Sequence, residues 1–199
     1  MTASILTTPR ARGRNYAAVA AGAVALAAGL VAAPGAQAAT TSTQYDYLLA
    51  PTTLCAGQTS STASVAAQEA AMHCLVDYAR GKQGLRPTVA NAALDLAAER
   101  KAADILRCQQ FSHTACGRAW DYFIKSSGTR FTRWGENIAW GSDNGGRSTP
   151  RSIMRGWLYS SGHRANILNA SYNAKGIGLV RGRFSGYAAG IWVQHFGTK

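Results

Sequence analysis

The side chains that could carry out chemistry in this chain are concentrated in four short segments. These segments are residues 111–114, 135–139, 161–168 and 192–197. They contain histidine and glutamate, which commonly act as general acids and bases and as ligands of zinc. No HExxH sequence is present, so the helix of a common class of zinc protease is excluded. No GxSxG sequence is present either, which argues against a serine nucleophile at Ser160 or Ser161, although both lie close to His163 in the chain.

In their order and spacing, the four segments closely resemble the CAP superfamily, also called the SCP or pathogenesis-related-1 type, in its bacterial secreted branch. The resemblance extends from about residue 66 to residue 197. It implies an α-β-α sandwich with a cleft formed by two histidines and two acidic residues. In several members of the family this cleft holds a divalent cation, often zinc.

The resemblance places His113 and His163 at the two histidine positions and Glu136 at one acidic position. The second acidic position falls on Ser160 or Ser161, so the fourth cleft ligand is predicted to be absent or to come from elsewhere. Two neutral imidazoles and one carboxylate suit zinc with a fourth position open to water. The alternative is that the three side chains form hydrogen bonds and hold the cleft together without a metal.

Other polar and aromatic residues of these segments are predicted to have structural roles. Asn137 and Asn166 are expected to fix the backbone at the edge of the cleft, and Arg164 to pair with a buried carboxylate or carbonyl. His73 and His195 are interpreted as surface or packing residues. Four tryptophans are predicted to belong to the core rather than to a ligand cage: Trp134, Trp140, Trp157 and Trp192.

The pattern of apolar residues predicts helices before and after a short buried strand, followed by a hairpin. Helices are expected over residues 65–80, from an Asn91 N-cap to Cys108, over 119–125, and from Pro150 to about Ser160. Strands are expected over residues 135–141, 176–183 and 187–196. This order predicts an α+β domain whose helices pack on a small antiparallel sheet.

The four cysteines predict two disulfide bonds, because an even number of cysteines in an exported chain is typical of disulfides. Three pairings are open. We favour Cys55 with Cys74 and Cys108 with Cys116, since each pair brackets a short segment. The second disulfide would close a small loop that contains His113.

Residues 1–38 are predicted to be a secretory signal peptide. Three arginines precede an apolar run over residues 17–33, and Ala36-Gln37-Ala38 supplies small residues before a cleavage site. An uncleaved membrane anchor is the alternative. Residues 39–64 are expected to form an irregular N-terminal segment tied down only by Cys55, and residues 65–199 to form the CAP/SCP domain.

The chain carries a formal net charge of +12, and residues 1–38 account for three of these charges. The remaining excess of basic residues favours an anionic cell-surface or lipid ligand. No nucleic-acid motif and no integral membrane span after signal cleavage is predicted, and a monomer is expected. We therefore expect a secreted, extracellular binding module whose cleft holds a divalent cation such as zinc or a small apolar ligand. The alternative is a metal-assisted hydrolase of peptide or cell-wall material, with Glu136 as general base or third metal ligand; no catalytic residue is assigned.

Overall fold

The computed structural model describes residues 43–199, and the predicted signal peptide lies outside the described residues. The helices are α1 (Val65–Gly81), α2 (Ala92–Cys108), α3 (Tyr122–Lys125), α4 (Pro150–Tyr159) and α5 (Ser161–Ile167). The strands are β1 (Val89–Ala90), β2 (Arg133–Ser142), β3 (Ala174–Phe184) and β4 (Tyr187–Thr198). Within the described residues no helix is long and apolar enough to cross a lipid bilayer.

The four strands form one sheet in the order β1-β3-β4-β2. The β3–β4 and β2–β4 pairs are antiparallel, whereas β1 runs parallel to β3. The α+β class is thus confirmed, but the sheet is mixed rather than purely antiparallel. Strand β1 was not predicted, because a strand of two exposed residues has no alternation to detect.

The helix predicted over residues 119–125 begins only at Tyr122. The predicted starts of the other three helices are confirmed, and each has a side-chain cap. The Ser64 hydroxyl accepts a hydrogen bond from Ala67 N–H, the Asn91 side chain accepts one from Leu94 N–H, and Thr149 caps α4 at Ser152 N–H. Helix α5 was not predicted as a helix. Its seven residues follow an extended break at Ser160 and are too few to show a helical period.

The helices cover both faces of the sheet, as the sandwich predicted from the family resemblance requires. Helix α2 lies against β3 so closely that a Cβ atom on Gly176 would be 2.2 Å from the backbone of Leu94. A Cβ atom on Gly178 would likewise be 2.2 Å from Glu99 N. On the opposite face, α1 and α4 enclose a core with Met72, Leu75, Met154, Trp157, Leu158, Ile177, Leu179 and Trp192.

Both disulfides have the favoured pairing, Cys55 with Cys74 and Cys108 with Cys116. The segment before α1, however, is held by more than Cys55. Leu48 and Leu49 are buried in the core, and Arg151 Nη1 donates a hydrogen bond of 2.8 Å to Gln58 Oε1. The expectation of a segment tied only by Cys55 was wrong because it gave weight to the Thr- and Ser-rich composition and not to the two leucines.

The outer backbone of the sheet is partly capped by side chains from the helices. At the β3 edge, Ile177 N–H donates to Asp95 Oδ1 and Leu179 N–H donates to Glu69 Oε1, each at 2.8 Å. Such bonds protect an edge strand from pairing with another chain.

Candidate functional site

Glu136 lies at the centre of the site, on β2 directly opposite His195 of β4. Its side chain is 1% exposed. His113 Nδ1 donates to Glu136 Oε1 at 2.7 Å, and His195 Nε2 donates to Glu136 Oε2 at 2.9 Å. Both carboxylate oxygens are therefore engaged by imidazoles that come from different parts of the chain.

The surroundings of Glu136 favour its ionised form. Burial raises the pKa of this carboxyl, but the hydrogen bonds from His113 and His195 and the charge of Lys101 outweigh it and hold the pKa below the usual value. An ionised carboxylate can only accept hydrogen bonds, so each bonded ring nitrogen carries a proton. When each ring is neutral, its other nitrogen carries a lone pair; these nitrogens are His113 Nε2 and His195 Nδ1.

Lys101 of α2 positions the loop that carries His113. Its buried ammonium donates a hydrogen bond to the carbonyl oxygen of His113. Burial lowers the pKa of Lys101, and the charges of Glu136 and Asp104 counteract this effect. Lys101 was not predicted as a site residue, although it lies seven residues after Leu94 on the apolar side of the helix, where a charged residue indicates a buried partner.

The Cys108–Cys116 disulfide brackets the loop of His113, as predicted. The imidazole of His113 is 50% exposed, while its partner Glu136 is not. The His113 ring thus links the buried carboxylate to solvent.

His163 lies in α5, which contacts β2. Asn137 Nδ2 donates to His163 O at 3.1 Å, and Asn166 Nδ2 donates to Asn137 Oδ1 at 2.9 Å. Burial and the nearby charge of His113 lower the pKa of His163 to about 4. His163 Nδ1 is buried and has no hydrogen-bond partner in the described part of the chain.

The structure therefore brings His113 and Glu136 together directly, with His163 close enough to His113 for their charges to interact. Among residues 43–199, no group of three or more His, Cys, Asp or Glu side chains is placed to hold a metal ion. The second partner of Glu136 is His195, which is fully buried. The interpretation of His195 as a surface or packing residue was incomplete, because only the strand register places it opposite Glu136.

The remaining polar residues of the motifs have the expected structural roles. Asn166 Nδ2 also donates to Glu136 O at 3.2 Å, and Arg164 Nη1 donates to Leu158 O at 2.6 Å. Ser160 and Ser161 occupy the junction of α4 and α5, and within residues 43–199 neither hydroxyl is hydrogen-bonded to His163. This geometry offers no activated serine.

An apolar pocket of about 480 Å³ lies farther along β2. Its walls are residues 139–142, Arg147, three residues of α4 (Ser152, Ile153 and Gly156), and Ser185 and Tyr187 of the hairpin. Trp140 lines it, with its ring centroid 5.2 Å from that of Phe184. Gly156 leaves room in the pocket, because a Cβ atom there would meet nothing within 4 Å.

The prediction that the tryptophans belong to the core is confirmed for Trp157 and Trp192, which are fully buried. Trp140 and Trp134 are partly buried and pack against the core, and in addition Trp140 lines the apolar pocket and Trp134 lines a second cavity of about 440 Å³. The sequence signal that could have indicated the first pocket is the pair of small residues, Ser152 and Gly156, one turn apart on α4.

Comparisons with known proteins agree with this architecture. The sequence model of the CAP, cysteine-rich secretory protein, family matches residues 73–196. Over 140 residues the chain is 34% identical to the uncharacterized protein YkwD of Bacillus subtilis, which covers 69% of this chain. The chain spans about half, 50%, of the length of that relative.

Solved structures have the same fold at lower sequence identity. An extracellular protein containing a SCP domain from Bacillus anthracis matches with a TM-score of 0.53 and 20% identity, over 70% of this chain and 45% of that one. An outer surface protein from Borrelia burgdorferi matches with a TM-score of 0.53 and 20% identity, over 64% of this chain and 90% of that one.

Proposed function

Because this chain belongs to the cysteine-rich secretory protein (CAP) family, we propose that it is a secreted, extracellular binding module that takes a small apolar ligand in the pocket beside β2. Two disulfides and the predicted signal peptide over residues 1–38 support export. We place the start of the family domain near Val65, the first residue of α1. The names of the two structural relatives, extracellular and outer surface, point to the same location.

The observation that carries this proposal is the pocket itself. Its volume of about 480 Å³ is typical of sites for small molecules, which are largely apolar with a few polar groups. Arg147 lies at the rim and is exposed. An apolar ligand with an acidic group, such as a fatty acid, therefore fits both the apolar walls and the cation.

A Gly156→Leu variant tests this proposal. The leucine would fill the pocket, so saturable binding of a fluorescent fatty acid is expected to weaken by at least tenfold. Gly81→Leu is the matched control, because Gly81 also lies in a helix and its Cβ would also meet nothing within 4 Å. Equal binding by the wild type and both variants would contradict the proposal.

A second candidate ligand is a divalent cation held by His113 and His163. The unpartnered buried His163 Nδ1 and the free His113 Nε2 favour it, and Glu136 would orient the His113 ring as carboxylates orient zinc-bound histidines. Water would have to supply the other ligands. A cation bound there would act as a Lewis acid or lower the pKa of its bound water.

Zinc calorimetry on residues 39–199 tests this candidate at about pH 7.5 and about pH 5.5. One site per chain is expected at the higher pH and weaker binding at the lower pH, because imidazoles ligate only when neutral. The His113→Ala variant should lose the site. The His73→Ala control should keep it, since His73 pairs with Asp95 outside the cleft. Unchanged zinc binding in the His113→Ala variant would contradict the assignment.

The alternative of a metal-assisted hydrolase has weaker support. A general base must lie within reach of the substrate, and the Glu136 side chain is 1% exposed with an imidazole bonded to each oxygen. The His113 side chain is half exposed, but a metal ion bound at its Nε2 would occupy the lone pair that a general base needs.

A further inference from the structure

One stretch of the β2 edge has unpaired backbone groups. Asp143 N–H donates to Ala188 O of β4. In an antiparallel pair this bond places the backbone N–H and C=O groups of the odd-numbered β2 residues toward β4. The even-numbered residues face outward, where Asn166 and Trp157 donate to the carbonyls of Glu136 and Ile138. Trp140 and Ser142 continue this outward series. In the part of the chain that the structure describes, no residue bonds their outward N–H and C=O groups.

The apolar pocket adjoins this open stretch. Helix α4 closes the edge where the Trp157 indole reaches Ile138 O at 3.3 Å. Gly156, one residue earlier on α4, has no side chain to reach the strand. The space left between α4 and β2 at this point is the pocket. The lining includes Ile153 from one side of the sheet and Tyr187 from the other, so the pocket gives access to the strand edge itself.

We propose that this stretch of β2 binds the C-terminal end of an extended peptide as an added strand, with an apolar side chain in the pocket. This inference rests on the proposed function, because it assumes that the pocket takes an apolar group. Strand addition pairs the open backbone of an edge strand and reads alternate side chains in adjacent pockets. An apolar ligand that occupies only the pocket leaves these backbone groups to water, whereas a peptide in the same place also pairs them.

Arg147 sets the direction of the peptide. It follows the C-terminal end of β2, and its carbonyl oxygen lies so near Gly141 that a Cβ atom there would be 2.2 Å away. Its guanidinium is exposed and has no partner within residues 43–199. A peptide carboxylate can reach Arg147 when the peptide runs parallel to β2. Because α4 closes the edge at Ile138, the open stretch accommodates about three peptide residues at about 3.3 Å each.

The test uses three acetylated peptides, acetyl-Ser-Thr-Val-Thr-Leu and its analogues ending in Val and Phe, with the protein comprising residues 39–199. At least one peptide is expected to bind saturably and to slow hydrogen exchange of the Trp140 and Ser142 amides. An analogue methylated on the backbone nitrogens of its last two residues is expected to bind at least tenfold more weakly, because it has lost its strand donors.

The carboxylate contact is tested with Arg147→Gln. This variant is expected to bind the free-acid peptide about tenfold more weakly than wild type and the C-terminal amide peptide as wild type does. Arg130→Gln is the control, since Arg130 is also exposed but lies outside this pocket. An equal effect of Arg147→Gln on the acid and the amide would overturn the parallel arrangement.

The peptide proposal and the proposed function fail in distinguishable ways. If the fatty acid binds in a Gly156-dependent manner but no peptide protects the Trp140 and Ser142 amides, strand addition is wrong and the apolar pocket stands. If a peptide protects both amides while the fatty acid does not bind, strand addition stands and the small apolar ligand is wrong. Equal binding of the methylated and unmethylated peptides would also overturn strand addition.

Discussion

The buried carboxylate of Glu136 connects three elements, because its two oxygens hold His113 of the loop after α2 and His195 of β4. Lys101 of α2 adds a buried positive charge nearby. A carboxylate in such surroundings stays ionised and fixes the orientation of each ring that it accepts from. We therefore assign Glu136 a positioning role, in which His113 presents its Nε2 to solvent.

Replacing Glu136 by glutamine should destabilise the domain by about 3 kcal/mol. An amide cannot accept from both imidazoles, and the charge that faces Lys101 is lost. Urea unfolding at pH 7 measures the change. The control is Glu99→Gln, an exposed residue for which a change within about 0.5 kcal/mol is expected. A stability loss no larger than that of the control would contradict the role of Glu136.

The lowered pKa of His163, about 4, predicts a specific pH dependence. An unfolded histidine titrates near 6.5, so between about pH 6.5 and pH 4 the unfolded chain binds the proton and the folded chain does not. His163 therefore reduces stability as the pH falls through this window. Urea unfolding at pH 7 and pH 4.5 should show a smaller loss for His163→Asn than for wild type. Identical losses in the two proteins would show that His163 is not held neutral.

At this scale, residue type and motif order were enough to predict the pair His113 and Glu136. They could not predict His195, because its contact depends on the register that places Gly176, His195 and Glu136 side by side across three strands. Lys101 was missed for a related reason. Its position on the apolar side of α2 indicates that it has a buried partner, but not that the partner is the backbone carbonyl of His113.

The elements position the site through close contacts that particular glycines permit. Helix α2, which carries Lys101, lies directly on Gly176 and Gly178 of β3. Any side chain at these two positions would push the helix from the sheet and with it the loop of His113. The sequence predicted α2 and β3 as separate elements. It did not predict how close they lie, which is possible only because glycine has no Cβ atom.

Two glycine-to-alanine substitutions should have opposite effects on stability. Gly178→Ala places a Cβ 2.2 Å from Glu99 N, so a loss of at least about 2 kcal/mol is expected from overpacking. Gly156→Ala meets open space inside α4 and should stabilise the helix by about 0.5–1 kcal/mol. Thermal unfolding of the two variants measures both effects. A neutral Gly178→Ala would contradict the close packing of α2 on β3.

The helices with clear apolar periodicity, α1, α2 and α4, were predicted nearly to the residue because their caps and periods agree. The two-residue β1 and the seven-residue α5 were not, since both are too short to show a period and depend on tertiary contacts. The pocket beside β2 was also missed. It exists because Gly156 has no side chain to fill the space between α4 and β2, and that space depends on how the two elements pack.

At the scale of the whole molecule, helix side chains form hydrogen bonds with much of the outward backbone of the sheet in residues 43–199. Side chains of Asp95 and Glu69 seal β3, and those of Trp157 and Asn166 seal part of β2. The stretch of β2 at Trp140 is open and adjoins the apolar pocket. Binding of an apolar ligand or an added strand is therefore expected at this place, while the histidine cleft lies farther along the same strand.

The most direct test of the binding claim is nuclear magnetic resonance of the tryptophan indoles during titration with a fatty acid. The chain has five tryptophans, and those of Trp157 and Trp192 donate their indole N–H to Ile138 O and Ser148 O inside the core. The Trp140 signal, assigned with Trp140→Phe, is expected to shift with saturation while the Trp192 signal stays in place. Saturable binding that leaves the Trp140 signal unmoved would contradict the account.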